Sequence, residues 1–172
     1  MYEVSPLQKA RYEYRPKLPK LFQEHGPAVR CVEGEPTESV ADQEAVSKLF
    51  ANTYGMPIVT FQPDPESDFS QPIKVGVVLS GGQAPGGHNV IAGLYDALKA
   101  MNPANELYGF IGGPSGLIEN KYIVLDDETV DRYRNTGGFD IIGSGRTKLE
   151  KEDDFAKVVA NCRDLGVSGI VI

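Results

Sequence analysis

The chain has 172 residues, a 41% hydrophobic share and a formal net charge of −7. That bounds it to one domain, or one domain with an extension, with enough apolar mass for a core. The acidic balance argues against a nucleic-acid binder, and no apolar run approaches membrane-spanning length.

The charge is uneven. Residues 1–30 carry six Lys and Arg against three Glu, which leaves −10 on the remainder. An anion site in such a chain must rely on backbone dipoles and a few placed cations rather than on a broad basic field. The two cysteines, Cys31 and Cys162, are far apart and have no metal-ligand spacing. They are expected to be reduced, with Cys162 a core residue. Met1 to Ala10 contains no apolar stretch, so a cytoplasmic location without membrane contact is the expectation.

In chain order, residues 1–30 read as an extended arm anchored by Tyr12, Tyr14, Leu18, Leu21 and Phe22, with Pro16 and Pro19 blocking a continuous helix. Residues 36–50 read as a helix. Thr37 or Ser39 can serve as N-cap, and Ala41, Ala45, Val46, Leu49 and Phe50 share a face. Gly55 suits a positive φ at its end. Residues 58–61 suit a short strand, and Pro63, Pro65 and Pro72 mark 62–72 as a linker. The predicted division is an N-terminal extension over 1–72 and an α/β domain over 73–172.

From residue 73 strand and helix patterns alternate. Residues 73–79 are an apolar run suited to burial on both faces. A helix is predicted over 88–101, a strand over 106–111, a loop at 112–116 and an extended piece at 122–125. A helix capped by Asp126 runs to Arg134. A second glycine loop, Gly143 to Lys148, precedes a helix over 150–164 with Phe155, Val158, Val159 and Cys162 on its inner side. Gly166 suits a C-cap. Residues 167–172 read as a central parallel strand, so the chain is expected to be an incomplete fold.

The candidate site is the stretch from Ser80 to Asn89, Ser-Gly-Gly-Gln-Ala-Pro-Gly-Gly-His-Asn. A buried strand, a glycine turn and a helix start form an anion cradle. Glycines let the backbone approach, and N–H groups and the helix dipole face the charge. The stretch is neither a Walker A loop nor a dinucleotide fingerprint. Arg146, in the second glycine turn, is expected at the same carboxyl edge of the sheet, where its planar fork suits phosphate oxygens. Thr147 and Lys148 are supporting candidates. His88, at a helix start, reads as a cap or orienting group more readily than as a chemical one. The acidic runs at 126–128 and 150–154 read as complements to helix dipoles.

Lys74 to Asn89, Gly112-Gly113-Pro114, Arg134 to Asp140 and Gly145 to Lys148 together resemble the pyrophosphate-dependent 6-phosphofructokinases in their long form. Tyr14 to Pro19 and Asn52 to Gly55 are similar to that form's extension. Gln83 and Gly87-His88-Asn89 favour the pyrophosphate branch over the ATP-dependent one.

The resemblance implies a three-layer, parallel-sheet, Rossmann-like α/β fold. It implies reversible, Mg²⁺-dependent glycolytic phosphoryl transfer from pyrophosphate to fructose 6-phosphate. It makes Gly81, Gly82 and Arg146 the pyrophosphate-binding residues, with Ser80, Gly86, Gly87, His88, Asn89, Thr147 and Lys148 in support. The magnesium ligands, the catalytic base and the sugar site are expected beyond residue 172. This segment is therefore expected to be inactive alone, with the remainder of the same enzyme and a second copy as its partners. The alternatives are an ATP-dependent 6-phosphofructokinase or a non-catalytic regulatory polypeptide of the same family.

Overall fold

The computed structural model describes residues 4–172. In chain order its elements are α1 (Pro6–Glu13), α2 (Lys20–His25), β1 (Val29–Pro36), α3 (Gln43–Leu49), β2 (Pro57–Pro63), β3 (Lys74–Val77) and α4 (Gly87–Met101). Then follow β4 (Glu106–Phe110), α5 (Pro114–Ile118), β5 (Tyr122–Leu125), α6 (Asp127–Tyr133), α7 (Glu152–Leu165) and β6 (Val167–Val171).

The chain divides into two units. One is Lys17–Asp68; the other joins residues 4–16 to Phe69–Ile172. The stretch expected as one extension is thus shared between both.

The Lys17–Asp68 unit is a two-stranded antiparallel sheet of β1 and β2, in which Cys31 faces Phe61 and Val32 faces Thr60. Phe22 of α2 lies with its ring centroid 6.4 Å from that of Phe61. The extended arm expected over 1–30 is corrected here, since it contains two helices and the start of a strand. Ser5 caps α1 by accepting from the Gln8 N–H, and Pro6 opens it. The prolines divide the helical stretch rather than abolish it. Helix α3 is also shorter than expected. It starts at Gln43 after Asp42 in the left-handed region, not at Thr37 or Ser39. The Thr37 hydroxyl instead donates to the Met56 carbonyl, at 2.6 Å.

The second unit carries a four-stranded sheet in the order β5-β4-β3-β6. Strands β4, β3 and β6 are parallel, and β5 runs antiparallel to β4 at one edge. The expected parallel sheet is thus present in β4, β3 and β6, with β5 added in reverse after the short β4–β5 connection. Strand β6 pairs only with β3 among the described residues.

Two apolar layers flank the sheet, and the period-two alternation of a strand explains them. Val77 and Leu79 enter one cluster with Ile91, Tyr95 and Leu98 of α4 and Val130 of α6. Val78 points the other way, joining Tyr108, Phe110 and Leu117 with Val158 of α7 against them. The apolar run after residue 73 is thus covered on both faces, and the architecture is three-layered α/β. Helix α7 is less buried than its pattern implied. Val158 packs inward, but Phe155 and Val159 are exposed.

Arg134, at the end of α6, binds Asp96 of α4 through both terminal nitrogens, at 2.7 and 2.9 Å, and Asp131 through Nε at 2.8 Å. These carboxylates hold its guanidinium protonated far above working pH. Both are more than half exposed, which limits the gain through solvent screening. Arg134→Met is expected to cost about 1 kcal/mol of stability in urea unfolding. A change below a few tenths would show that the fork holds nothing.

Candidate anion site at the carboxyl edge of the sheet

Strand β3 delivers the chain to Ser80, which forms an isolated parallel bridge with Gly145. Two backbone contacts join the first glycine loop to the second, and a third ties the 112–116 loop to the approach of the second. The Gly81 N–H donates to the Gly145 carbonyl at 2.8 Å, the Gly145 N–H to the Leu79 carbonyl at 3.3 Å, and the Gly112 N–H to the Ile142 carbonyl at 2.8 Å. Two glycines permit this approach. A Cβ on Gly113, which has φ +80°, would sit 2.3 Å from the Gly145 nitrogen, and a Cβ on Gly145 would sit 2.2 Å from the Gly112 oxygen. The sequence marked Gly112 and Gly113 only as a loop. Their role here is to let a third backbone pass beneath the site.

Arg146 then falls over the first loop. A Cβ built on Gly82 would lie 2.8 Å from one terminal nitrogen of Arg146, so the guanidinium rests directly against the glycine and would swing aside for a side chain there. Arg146 is exposed, and no described residue accepts a hydrogen bond or forms an ion pair with it. The Gly82 N–H likewise has no partner among the described residues. An uncommitted cation beside an uncommitted backbone donor, both facing solvent, can take an anionic oxygen.

The other expected site residues separate into distinct roles. Gly81 adopts φ +102° and makes the turn, but its N–H is already committed to Gly145. The start of α4 is not open in the way the loop pattern implied. The Gly86 N–H donates to the Gly137 carbonyl and the His88 N–H to the Gly138 carbonyl, both at 2.9 Å. The Asn89 and Val90 N–H groups return to the Gly86 carbonyl. Protein carbonyls from the 135–138 turn thus fill much of the place an anion would take.

Gly87 is covered by the Phe139 ring, which would lie 2.3 Å from a Cβ there. His88 is 3% exposed and hydrogen-bonded to the 136–141 segment. Asn89 is exposed and lines a hollow with Ser5, Gln8 and Tyr14 of the N-terminal segment, together with Asn135 and Thr136. Thr147 is exposed, and Lys148 is 3.9 Å from Glu150 with its side chain 81% exposed. No contact brings these two to the Gly82 loop. The structure therefore gathers Ser80, Gly81, Gly82 and Arg146 at one point, and sets His88 and Gly87 behind them as support.

Among the described residues no group of three or more His, Cys, Asp and Glu side chains could hold a metal ion. The residues present do not fit a magnesium site by themselves. No described helix is long and apolar enough to cross a membrane. Cys31 is exposed and Cys162 half-buried, and burial pushes the Cys162 thiol up from its ordinary value.

The family model described as Phosphofructokinase matches residues 74–172, which contain every element of the site. The pyrophosphate–fructose 6-phosphate 1-phosphotransferase of Porphyromonas gingivalis is 51% identical over 168 residues, spanning 98% of this chain and 30% of that protein. The protein of that name from Treponema pallidum is 44% identical, spanning 98% of this chain and 31% of its own length. The beta subunit of the Solanum tuberosum enzyme is 41% identical, at 98% and 29%. The chain thus spans about 30% of the length of the relatives it matches. With the family model covering more than half of its residues and the whole site, the chain belongs to the phosphofructokinase family.

Proposed function

We propose that this chain supplies the pyrophosphate-binding half-site of a pyrophosphate-dependent 6-phosphofructokinase. The full-length enzyme moves a phosphoryl group from pyrophosphate to the 1-hydroxyl of fructose 6-phosphate, giving fructose 1,6-bisphosphate and phosphate. The reaction is reversible and belongs to glycolysis. The observation that carries this reading is the Arg146 guanidinium poised over Gly82, with neither group spent on a protein partner. Phosphoryl transfer asks the protein mainly for position and for charge neutralisation, and these two groups offer both. The names of the three relatives support pyrophosphate as donor.

On this reading the catalytic base, the sugar site and the magnesium ligands are supplied by the remainder of the enzyme. We accordingly propose that residues 1–172 alone are inactive, that the working enzyme is an oligomer, as the subunit name of the potato relative suggests, and that it works in the cytoplasm.

A coupled assay of the full-length enzyme with fructose 6-phosphate, magnesium and either pyrophosphate or ATP tests this. Turnover with pyrophosphate and none with ATP is the expected result. Turnover with ATP alone overturns the donor assignment. Turnover by purified 1–172 overturns the half-site reading.

A further inference from the structure

Among the described residues, His88 is the one buried titratable side chain beside the site that the proposed function leaves without a task. Its Nε2 accepts from two backbone N–H groups, those of Asp140 at 2.9 Å and Ile141 at 3.0 Å. A ring nitrogen that accepts twice carries no proton, so the proton sits on Nδ1. Nδ1 faces the Thr136 hydroxyl oxygen at 2.5 Å. That hydroxyl donates to the Tyr133 carbonyl at 2.6 Å, which leaves its oxygen free to accept from Nδ1–H. The Tyr133 ring meets the imidazole edge-on, with centroids 4.8 Å apart. A Cβ on Gly138 would lie 2.7 Å from the imidazole Cε1, so glycine is required there as well.

These contacts join the two halves of the site from behind. The glycine loop carrying Gly82 ends at Gly86, the N-cap of α4, and His88 is the second residue of that helix. The segment from Tyr133 to Ile141, which the imidazole grips, leads straight into the turn that carries Arg146.

We propose that His88 is a positioning residue: its neutral imidazole fixes the Arg146 turn against the glycine loop, and protonation at acid pH undoes that fixing. The proposal rests on the pyrophosphate-site reading above.

A proton on Nε2 cannot face two N–H groups. It would turn instead to the Asp140 carboxylate, whose Oδ1 lies 3.0 Å away and which is 75% exposed. While Nε2 accepts, that close pair is not an ion pair. The titratable groups facing the imidazole are Asp140 and the Tyr133 ring; Arg134, next along the chain, is engaged by Asp96 and Asp131. Burial outweighs the pull of Asp140 and holds the imidazole below its ordinary value of 6.5. Stability drawn from this contact is therefore full above 6.5. It declines as pH falls below 6.5 towards the folded value, because the unfolded chain takes up a proton that the folded chain resists.

The test is steady-state kinetics of the full-length enzyme at pH 5 to 8, with folding checked by circular dichroism. H88L keeps the bulk and loses all three polar contacts. It is expected to raise KM for pyrophosphate about tenfold or more and to change KM for fructose 6-phosphate less than twofold. H88Q can place its amide oxygen where Nε2 accepts and cannot titrate. It is expected to return KM for pyrophosphate to within about threefold of the unaltered enzyme at pH 8. Pyrophosphate itself titrates in this range, so the comparison is between H88Q and the unaltered enzyme. Only the latter should lose additional pyrophosphate affinity towards pH 5.

A folded H88L with unchanged KM for pyrophosphate overturns the proposal. So does an acid loss in H88Q equal to that of the unaltered enzyme, which decides the matter if H88L fails to fold. R146Q separates the two readings. If it raises KM for pyrophosphate while the His88 variants do not, only the role of His88 falls. If neither variant changes it, the pyrophosphate site itself is misplaced and both fall.

Discussion

Replacing Arg146 with glutamine is expected to lower pyrophosphate-dependent turnover of the full-length enzyme by about 10²- to 10³-fold, the usual cost of removing one preorganised donor from a charge-stabilising site. The expectation follows from what Arg146 does not do. It is exposed, it binds no described carboxylate or carbonyl, and its guanidinium rests against Gly82. Its loss should leave the melting temperature nearly unchanged, because no folded-state contact depends on it. R146K should recover part of the rate and not all of it, since an ammonium restores the charge without the planar fork. A variant with unaltered kcat and KM would remove Arg146 from the site.

Gly113→Ala is expected to act in the opposite way, on stability first. Its φ of +80° disfavours any L side chain, and the new Cβ would lie 2.3 Å from a backbone nitrogen of Gly145. A clash with backbone cannot be relieved by a rotamer change, so one of the two loops must shift. A loss of about 3 kcal/mol or more in denaturant unfolding is expected. The paired control is Gly93→Ala. Gly93 is an exposed position inside α4 where a Cβ meets nothing within 4 Å, so alanine should stabilise the helix by up to about 1 kcal/mol. Equal effects at the two positions would mean that the crossing of Gly113 and Gly145 is not the constraint described.

Strong periodic segments were legible in the sequence. The run after Ile73, the helix that became α4 and the Gly166 cap appear within a residue or two of where their patterns put them. The pairing of Gly82 with Arg146 was legible only as a shared sheet edge; their contact depends on a parallel bridge that no local pattern encodes. The strand β1 was missed because it is exposed along almost its whole length, so burial imposes no alternation on it. Helix α5 was missed because Gly112, Gly113 and Gly116 read as loop, although Pro114 opens a helix well. The start of α4 was misjudged for a different reason. Its donors are filled by carbonyls from Gly137 and Gly138, some fifty residues further on, and helix-start chemistry alone cannot reveal a distant competitor.

The bridge between Ser80 and Gly145 also bears on the order in which the molecule acquires its properties. Strand β3 pairs with β4 after one helix, but it meets β6 only after four helices and two strands have intervened, Lys74 opposite Val167. Contacts so far apart along the chain carry the greater loop-closure cost and tend to form late. Helices α4 and α6 and the β4–β5 reversal are local and can form early. On dilution from denaturant, helical signal should therefore return before the anion site does, and the competence to hold pyrophosphate would mark the end of folding rather than its beginning.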